Sequence, residues 1–287
     1  MDYDYRVSFK IAAATEEEVD LYERVLYPLQ DRVLEIAGGY RERLILTGGT
    51  ALARVYFDHR YSEDIDLFTD VERVQPLAHE FLNAIRSAGI TVDLTNGQDQ
   101  PGFVRAFVGE ERLKVDIAAD LPRLDLPFFD PRLKVCVHTL TDLGGNKVVA
   151  YEGRAEIKDV VDLYYLAKSQ TWPEMFRAAD RKRVPIAYEE LRFITSQPII
   201  GTVLSKTDLD FDVETFVGVL NNELEIEIKK KKYELRGRVK SIVSDLLWDA
   251  PASERRISPA TASVLLRRAE KLPEPARLLI EEAVSAE

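Results

Sequence analysis

The sequence predicts an α+β protein, with a mixed-sheet domain over residues 1–130 followed by a mainly helical domain over residues 131–287. Three observations carry this. Predicted elements run in the order helix, strand, helix, strand, helix, then several strands, which is not the regular alternation of a parallel sheet. Two of the late strand candidates are joined by Gly109-Glu110-Glu111, a turn that favours an antiparallel hairpin. The stretch "LPRLDLPFFDPRLK", with three prolines, breaks the pattern between residues 121 and 133, and the periodicities beyond it are helical.

In chain order, Thr15 and Glu18 form a capping box, and Val19, Tyr22, Val25, Leu26, Leu29, Val33 and Ile36 recur at helical spacing until Gly38-Gly39 ends the run. "RLILTGG" is a short apolar run closed by glycines, as in a buried strand, and "TALARVYF" has the length of two helical turns. The glycines therefore stand at a strand-to-helix turn. After "DHRYSED" comes a second strand, "IDLF". A helix follows, with Val74, Leu77, Ala78, Phe81, Leu82 and Ile85 on one face, Gly89 as its stop and Pro76 in its first turn, where proline is tolerated. "ITVDLT", "GFVRAFV" and "RLKVDIAAD" are the next strands. Helices are expected at 141–151, 155–169, 188–195 and 213–248, with two short ones after Ser258 and Pro273.

A chain of 287 residues with 46% apolar content can bury a substantial core. No apolar run approaches the roughly 20 residues of a membrane helix, and the N-terminus lacks the apolar segment of a secretory signal, so a cytoplasmic location without membrane contact is expected. Cys136 is the one cysteine and reads as core filler; with three scattered histidines it offers no zinc cluster. A net charge of −11 means that any nucleic-acid contact must come from a local basic patch.

The chemistry concentrates in "LILTGGTALARVYFDHRYSEDIDLF". Side chains alternate along a strand, so Asp64 and Asp66 point to one side and Ile65 and Leu67 to the other. Neighbouring carboxylates raise each other's pKa unless a cation neutralises them. Mg²⁺ suits such a pair, because it fills its remaining positions with water and substrate phosphate oxygens. Two solvated aspartates on an exposed edge are the plainer alternative. Gly48 and Gly49 would let phosphate approach backbone N–H groups at a helix N-terminus, with the Thr50 hydroxyl beside them, although a glycine pair is often only a tight turn. Asp116, between Val115 and Ile117, supplies a third carboxylate of the kind that a two-metal, in-line nucleotidyl transfer requires, or else a charge at a strand end.

With these residues in place the sequence resembles the DNA polymerase β-like nucleotidyltransferases. Thr47-Gly48-Gly49, a spacer of fourteen residues and Asp64-Ile65-Asp66-Leu67 follow their signature, though the spacer is long and Thr47 replaces a plain aliphatic. Both departures suit the AbiEii/AbiGii-type toxin branch, in which Gly-Gly-Thr-Ala-Leu and Arg-x-Ser-x-Asp-Ile-Asp-Leu recur. A second block, "TLTDLGGNKVVAYEGRAEIKDVVDLYYL", matches that branch's downstream motif with Lys147, Arg154, Lys158, Asp159 and Asp162. The resemblance implies a magnesium-dependent enzyme, holding two ions, that moves a nucleoside monophosphate from an NTP to an acceptor and releases pyrophosphate. It implies catalytic roles for Asp64, Asp66, Asp116 and Lys147, the three aspartates holding metal. Gly48, Gly49, Thr50, Ser62, Lys147, Arg154, Asp159 and Asp162 would surround the nucleotide, with Asp159 and Asp162 placed to orient Lys147 or Arg154. Family members include toxins of toxin–antitoxin or phage-defence pairs, some of which modify the 3′ end of tRNA, so an antitoxin protein is an expected partner.

In the C-terminal half Lys229, Lys230, Lys231, Lys232 and Arg236 form a basic run that reads either as a solvated helix face or as an RNA-backbone contact with Tyr233 available for stacking. The function expected is nucleotidyl transfer to RNA, most simply tRNA. The alternatives are transfer to a small-molecule or protein hydroxyl, and a non-catalytic module whose carboxylates hold a structural cation.

Overall fold

A computed structural model describes residues 8–71, 73–120, 122–182, 199–207, 211–248 and 267; side chains are described except at residue 8 and from 232 to 248. The expected helices at 188–195 and after Ser258 and Pro273 lie outside the described residues. The chain divides into two compact units, Met1–Val184 with Pro198–Phe216, and Pro185–Gln197 with Val217–Glu287. The first unit continues past residue 130, where the sequence suggests a boundary, and includes the helices between residues 140 and 182.

Strand β1 (Ser8–Ala13) leads into α1 (Glu16–Leu21), which is opened by the expected capping box: the Thr15 hydroxyl accepts from the Glu18 N–H, and the Glu18 carboxylate accepts from the Thr15 N–H. A π-helical turn at Tyr22–Leu26 joins α1 to α2 (Tyr27–Gly38). Such a turn holds an extra residue and rotates the apolar stripe, which is why Val25, expected on the buried face, is exposed while Leu29 and Val33 are buried. After β2 (Ile45–Thr47) the glycines open α3 (Gly48–Ala51), which continues as a π-helical stretch at Leu52–Phe57. Next come β3 (Ile65–Thr69) and α4 (Val74–Ser87), whose six predicted apolar positions are all buried. Burying each of the larger ones is worth about 1.5 to 3 kcal/mol, and together they fix α4 against the strands below.

Those strands are β4 (Val92–Gln100), β5 (Phe103–Val108) and β6 (Leu113–Ala119), with β5 and β6 forming the predicted antiparallel hairpin. The proline-rich stretch adds β7 (Phe128–Asp130) and then β8 (Val135–Val137), which returns to the sheet beside β2 and buries Cys136. The result is a mixed seven-stranded sheet in the order β4-β5-β6-β3-β2-β8-β7. Helices α5 (Leu140–Arg154), α6 (Ile157–Ala167) and α7 (Trp172–Lys182) follow. β9 (Ile200–Ser205) pairs in parallel with β1 as a separate two-stranded sheet. The last described element is α8 (Val213–Trp248). Helix α4 packs on β4, β5 and β6, and α3 packs on β2, β3 and α5. Alternation along β3 and β6 therefore sends Ile65, Leu67, Val115 and Ile117 into the core and leaves Asp66 and Asp116 on the opposite face.

Candidate active site

The sheet register lays Thr47, Asp66, Asp116 and Arg105 in one row across β2, β3, β6 and β5. Asp66 and Asp116 are direct neighbours in a parallel pair, and Asp64 stands one residue ahead of β3. The three aspartates named from sequence thus converge. Their surroundings differ. Arg105 grips Asp116 through Nε and one terminal nitrogen at 2.7 and 2.6 Å, and Lys114 Nζ lies 2.6 Å from Asp64 Oδ2. The Asp66 carboxylate makes no hydrogen bond or ion pair among the described residues. Burial pushes its pKa up to about 6, and the Asp116 and Asp64 charges push the same way against Lys147 and Lys114. This carboxylate gives up its proton less readily than a solvent-exposed one, and a further cation would favour its ionised form.

The glycine pair explains how Asp66 is seated. Gly48 has φ +68, and a Cβ there would lie 2.0 Å from Asp66 Oδ2; a Cβ on Gly49 would lie 2.2 Å from an Arg60 terminal nitrogen. Any side chain at either position would collide with a charged group of the site. Thr50, expected on the nucleotide, is buried, and its hydroxyl bonds that of Ser62 at 2.9 Å and the Asp64 carbonyl. Thr50 and Ser62 therefore fasten the α3 turn to the loop that carries Asp64.

The second block forms a separate lattice on α5 and α6. Lys147 Nζ is buried between Asp159 (3.0 Å) and Asp162 (2.7 Å). Arg154 forks onto Asp159 at 2.8 and 2.9 Å. Asp162, fully buried, also accepts from Arg60 at 2.7 and 2.8 Å and from His59 Nε2 at 2.7 Å. Burial alone would raise the Asp162 pKa, but Arg60 and Lys147 hold it well below the carboxylate range. Burial favours a neutral Lys147, yet Asp162 and Asp159 outweigh it and its pKa is raised. Desolvation lowers the His59 pKa, so the neutral ring donates through Nε2–H. Asp159 and Asp162 thus hold Lys147 in place, as their spacing on one helical face suggests. Lys158 pairs with Glu156 at 2.8 Å instead.

His59, Arg60, Arg105 and Lys114 were not singled out from sequence. A signal existed for three of them: Arg60 is the arginine of the Arg-x-Ser-x-Asp-Ile-Asp-Leu motif, Arg105 alternates with buried Val104 and Ala106, and Lys114 sits two residues before Asp116, so the last two belong on the carboxylate face. A further acidic cluster, Asp120, His138 and Asp142, keeps its ligand atoms within 4.8 Å of one another, but Lys182 Nζ already reaches Asp120 and Asp142 at 2.5 and 2.7 Å. The lysine thus stands between the two carboxylates and offsets one of their charges. On α8, Lys229 pairs with Glu225 at 3.4 Å and Lys230 with Glu227 at 3.9 Å; the side chains of Lys232 and Arg236 lie outside those described. None of the described helices is long and apolar enough to cross a membrane.

The fold and the sequence comparisons together define a nucleotidyltransferase. More narrowly, the chain belongs to the family described as nucleotidyl transferase AbiEii toxin of type IV toxin–antitoxin systems, whose model matches residues 32–216. The match spans both the carboxylate row and the α5–α6 lattice. Membership of this family implies an NTP substrate and an antitoxin partner. Among solved structures the chain is similar to MenT4, a nucleotidyltransferase toxin of Mycobacterium tuberculosis H37Rv, at 17% identity over 91% of this chain and 92% of that one, with a TM-score of 0.50. It is also similar to JHP933 of Helicobacter pylori, at 19% identity over 75% and 97% of the two chains, with a TM-score of 0.45. No curated protein matches it.

Proposed function

We propose that the chain transfers a nucleoside monophosphate from an NTP to the 3′ hydroxyl of an RNA, tRNA being the simplest acceptor, and that Mg²⁺ held by Asp64, Asp66 and Asp116 supports the reaction. The observation that carries this reading is the Asp66 carboxylate, packed over Gly48 beside Asp116 and Asp64 without a cation of its own. Three converging carboxylates fit hard divalent ions. Bound there, such ions would polarise the α-phosphate and lower the pKa of the attacking hydroxyl. The protein's own groups do the rest. Gly48, Gly49 and Thr50 turn the start of α3 toward the triphosphate, and Lys147, fixed by Asp159 and Asp162, offers positive charge to it, with Arg154 on the same lattice. The exposed lysines at the centre of α8 support an RNA acceptor, as a local basic patch on a chain whose overall net charge is −11. The domain division near residue 130 is retained as a functional one: carboxylates before it, the lysine lattice after it.

The test is to incubate the protein with Mg²⁺ and each α-labelled NTP in turn, with total RNA or total protein as acceptor. Label in RNA that disappears when the RNA 3′ ends are oxidised with periodate is expected. Label in protein, or in small molecules only, would overturn the RNA assignment, and full activity of Asp64→Ala would overturn the metal assignment.

A further inference from the structure

Two of the three proposed metal ligands are already neutralised by the protein, and this sets how the metal arrives. Arg105 takes both oxygens of Asp116 in a forked pair at 2.7 and 2.6 Å, and Lys114 holds Asp64 at 2.6 Å. Both cations stand on the carboxylate face through strand register, Arg105 directly opposite Asp116 on β5 and Lys114 beside it on β6. Neither cation is deeply buried: Arg105 is 33% and Lys114 28% exposed, so both side chains have room to move. A divalent ion entering alone would have to displace these cations or sit within a few ångströms of them, and either weakens binding. A triphosphate changes the balance, because it brings negative charge to the same place.

Resting on the proposed metal site, we infer that Arg105 and Lys114 act as resident counter-ions that keep free divalent cations out, so that the metal binds together with the nucleotide. The three aspartates bear three negative charges when ionised, and Arg105 and Lys114 cancel two. An isolated divalent ion would leave the cluster net positive. The metal–nucleotide complex is anionic and supplies partners for the two displaced cations as well as for the metal. Arg105 and Lys114 are thereby positioning residues for entry, and they gain the triphosphate as a partner when the aspartates turn to the metal.

The experiment uses Mn²⁺ as the probe, titrated into the full chain and followed by the electron paramagnetic resonance signal of free Mn²⁺. Titrations are run with and without the α,β-methylene analogues of the NTPs, which cannot release pyrophosphate. Wild-type protein should bind Mn²⁺ weakly alone and at least tenfold more tightly with an analogue. Arg105→Gln and Lys114→Gln should each bind Mn²⁺ about tenfold more tightly than wild type without nucleotide, and lose most of the gain from the analogue. Arg105→Lys, which keeps the charge, should behave as wild type, separating charge from packing. Unchanged or weaker Mn²⁺ binding in both glutamine variants would overturn the inference while leaving the metal site intact. Failure of every protein to bind Mn²⁺ with or without analogue would overturn the metal site and the inference together.

Discussion

The carboxylate row on the sheet and the charge lattice on α5 and α6 are built from the same residue types and obey opposite rules. In the lattice every carboxylate is oversupplied: Asp162 alone accepts from Arg60, His59 and Lys147. On the sheet the balance falls short, and Asp66 is left with two acidic neighbours and no partner among the described residues. A buried carboxylate with all its partners is committed to holding its neighbours in place, whereas one held ionisable without a partner has a place for a ligand. The Asp120, His138, Asp142 and Lys182 cluster falls on the lattice side of this line, because a lysine already stands where an ion would.

The comparison can be broken most forcefully at the sheet. Asp64→Asn and Asp116→Asn should each lower nucleotidyl transfer by at least about a thousandfold while circular dichroism and the melting curve stay close to wild type, because no buried partner is stranded. A modest loss would mean that the carboxylates do not hold the reacting groups. Asp162→Ala should do the reverse, costing about 3 to 5 kcal/mol in urea unfolding because buried Arg60 loses its carboxylate and Lys147 keeps only Asp159 of its two partners. Retention of wild-type stability in that variant would erase the distinction between the two regions.

Smaller effects sharpen it. Divalent-cation affinity should rise between pH 5 and 7 and then level off, since the Asp66 proton, held up to a pKa of about 6, must leave before the carboxylate can act as a ligand. Titration of Mn²⁺ at several pH values checks this, and Asp66→Asn should flatten the profile. Thr50→Val, which removes the hydroxyl joining α3 to Ser62, should cost about 1 kcal/mol and weaken nucleotide binding mainly through a looser turn.

Much of this was legible in the sequence wherever a local pattern decides the structure. The Thr15 capping box, the six-residue stripe of α4 and the alternation Asp64-Ile65-Asp66-Leu67 each fix their element from neighbours only. The convergence of Asp66 with Asp116 was expected from chemistry and is delivered by strand register. What could not be read depends on pairing across long separations. β1 meets β9 from the other end of the first unit, and His59 and Arg60, ahead of β3, meet Asp162 about a hundred residues later. The short strands β7 and β8 were hidden among prolines that usually signal a break, and they form because β2 offers an edge for β8. The π-helical turn at Tyr22 shows the same limit on a smaller scale, since one extra residue in a turn moved Val25 out of the predicted stripe.

The central claim is that Asp66 is held, by burial and by the charges of Asp116 and Asp64, for a cation that the protein itself does not supply. It is tested most directly by the melting temperature of Asp66→Asn against wild type as a function of pH, without metal. A folded-state pKa raised to about 6 makes the wild-type contribution full below about pH 4 and progressively lost as pH rises through 6. The two proteins should therefore melt together near pH 4, and the variant should be more stable by about 2 to 3 kcal/mol at pH 7.5. Equal stability at both pH values, or a variant less stable at pH 7.5, would contradict the account.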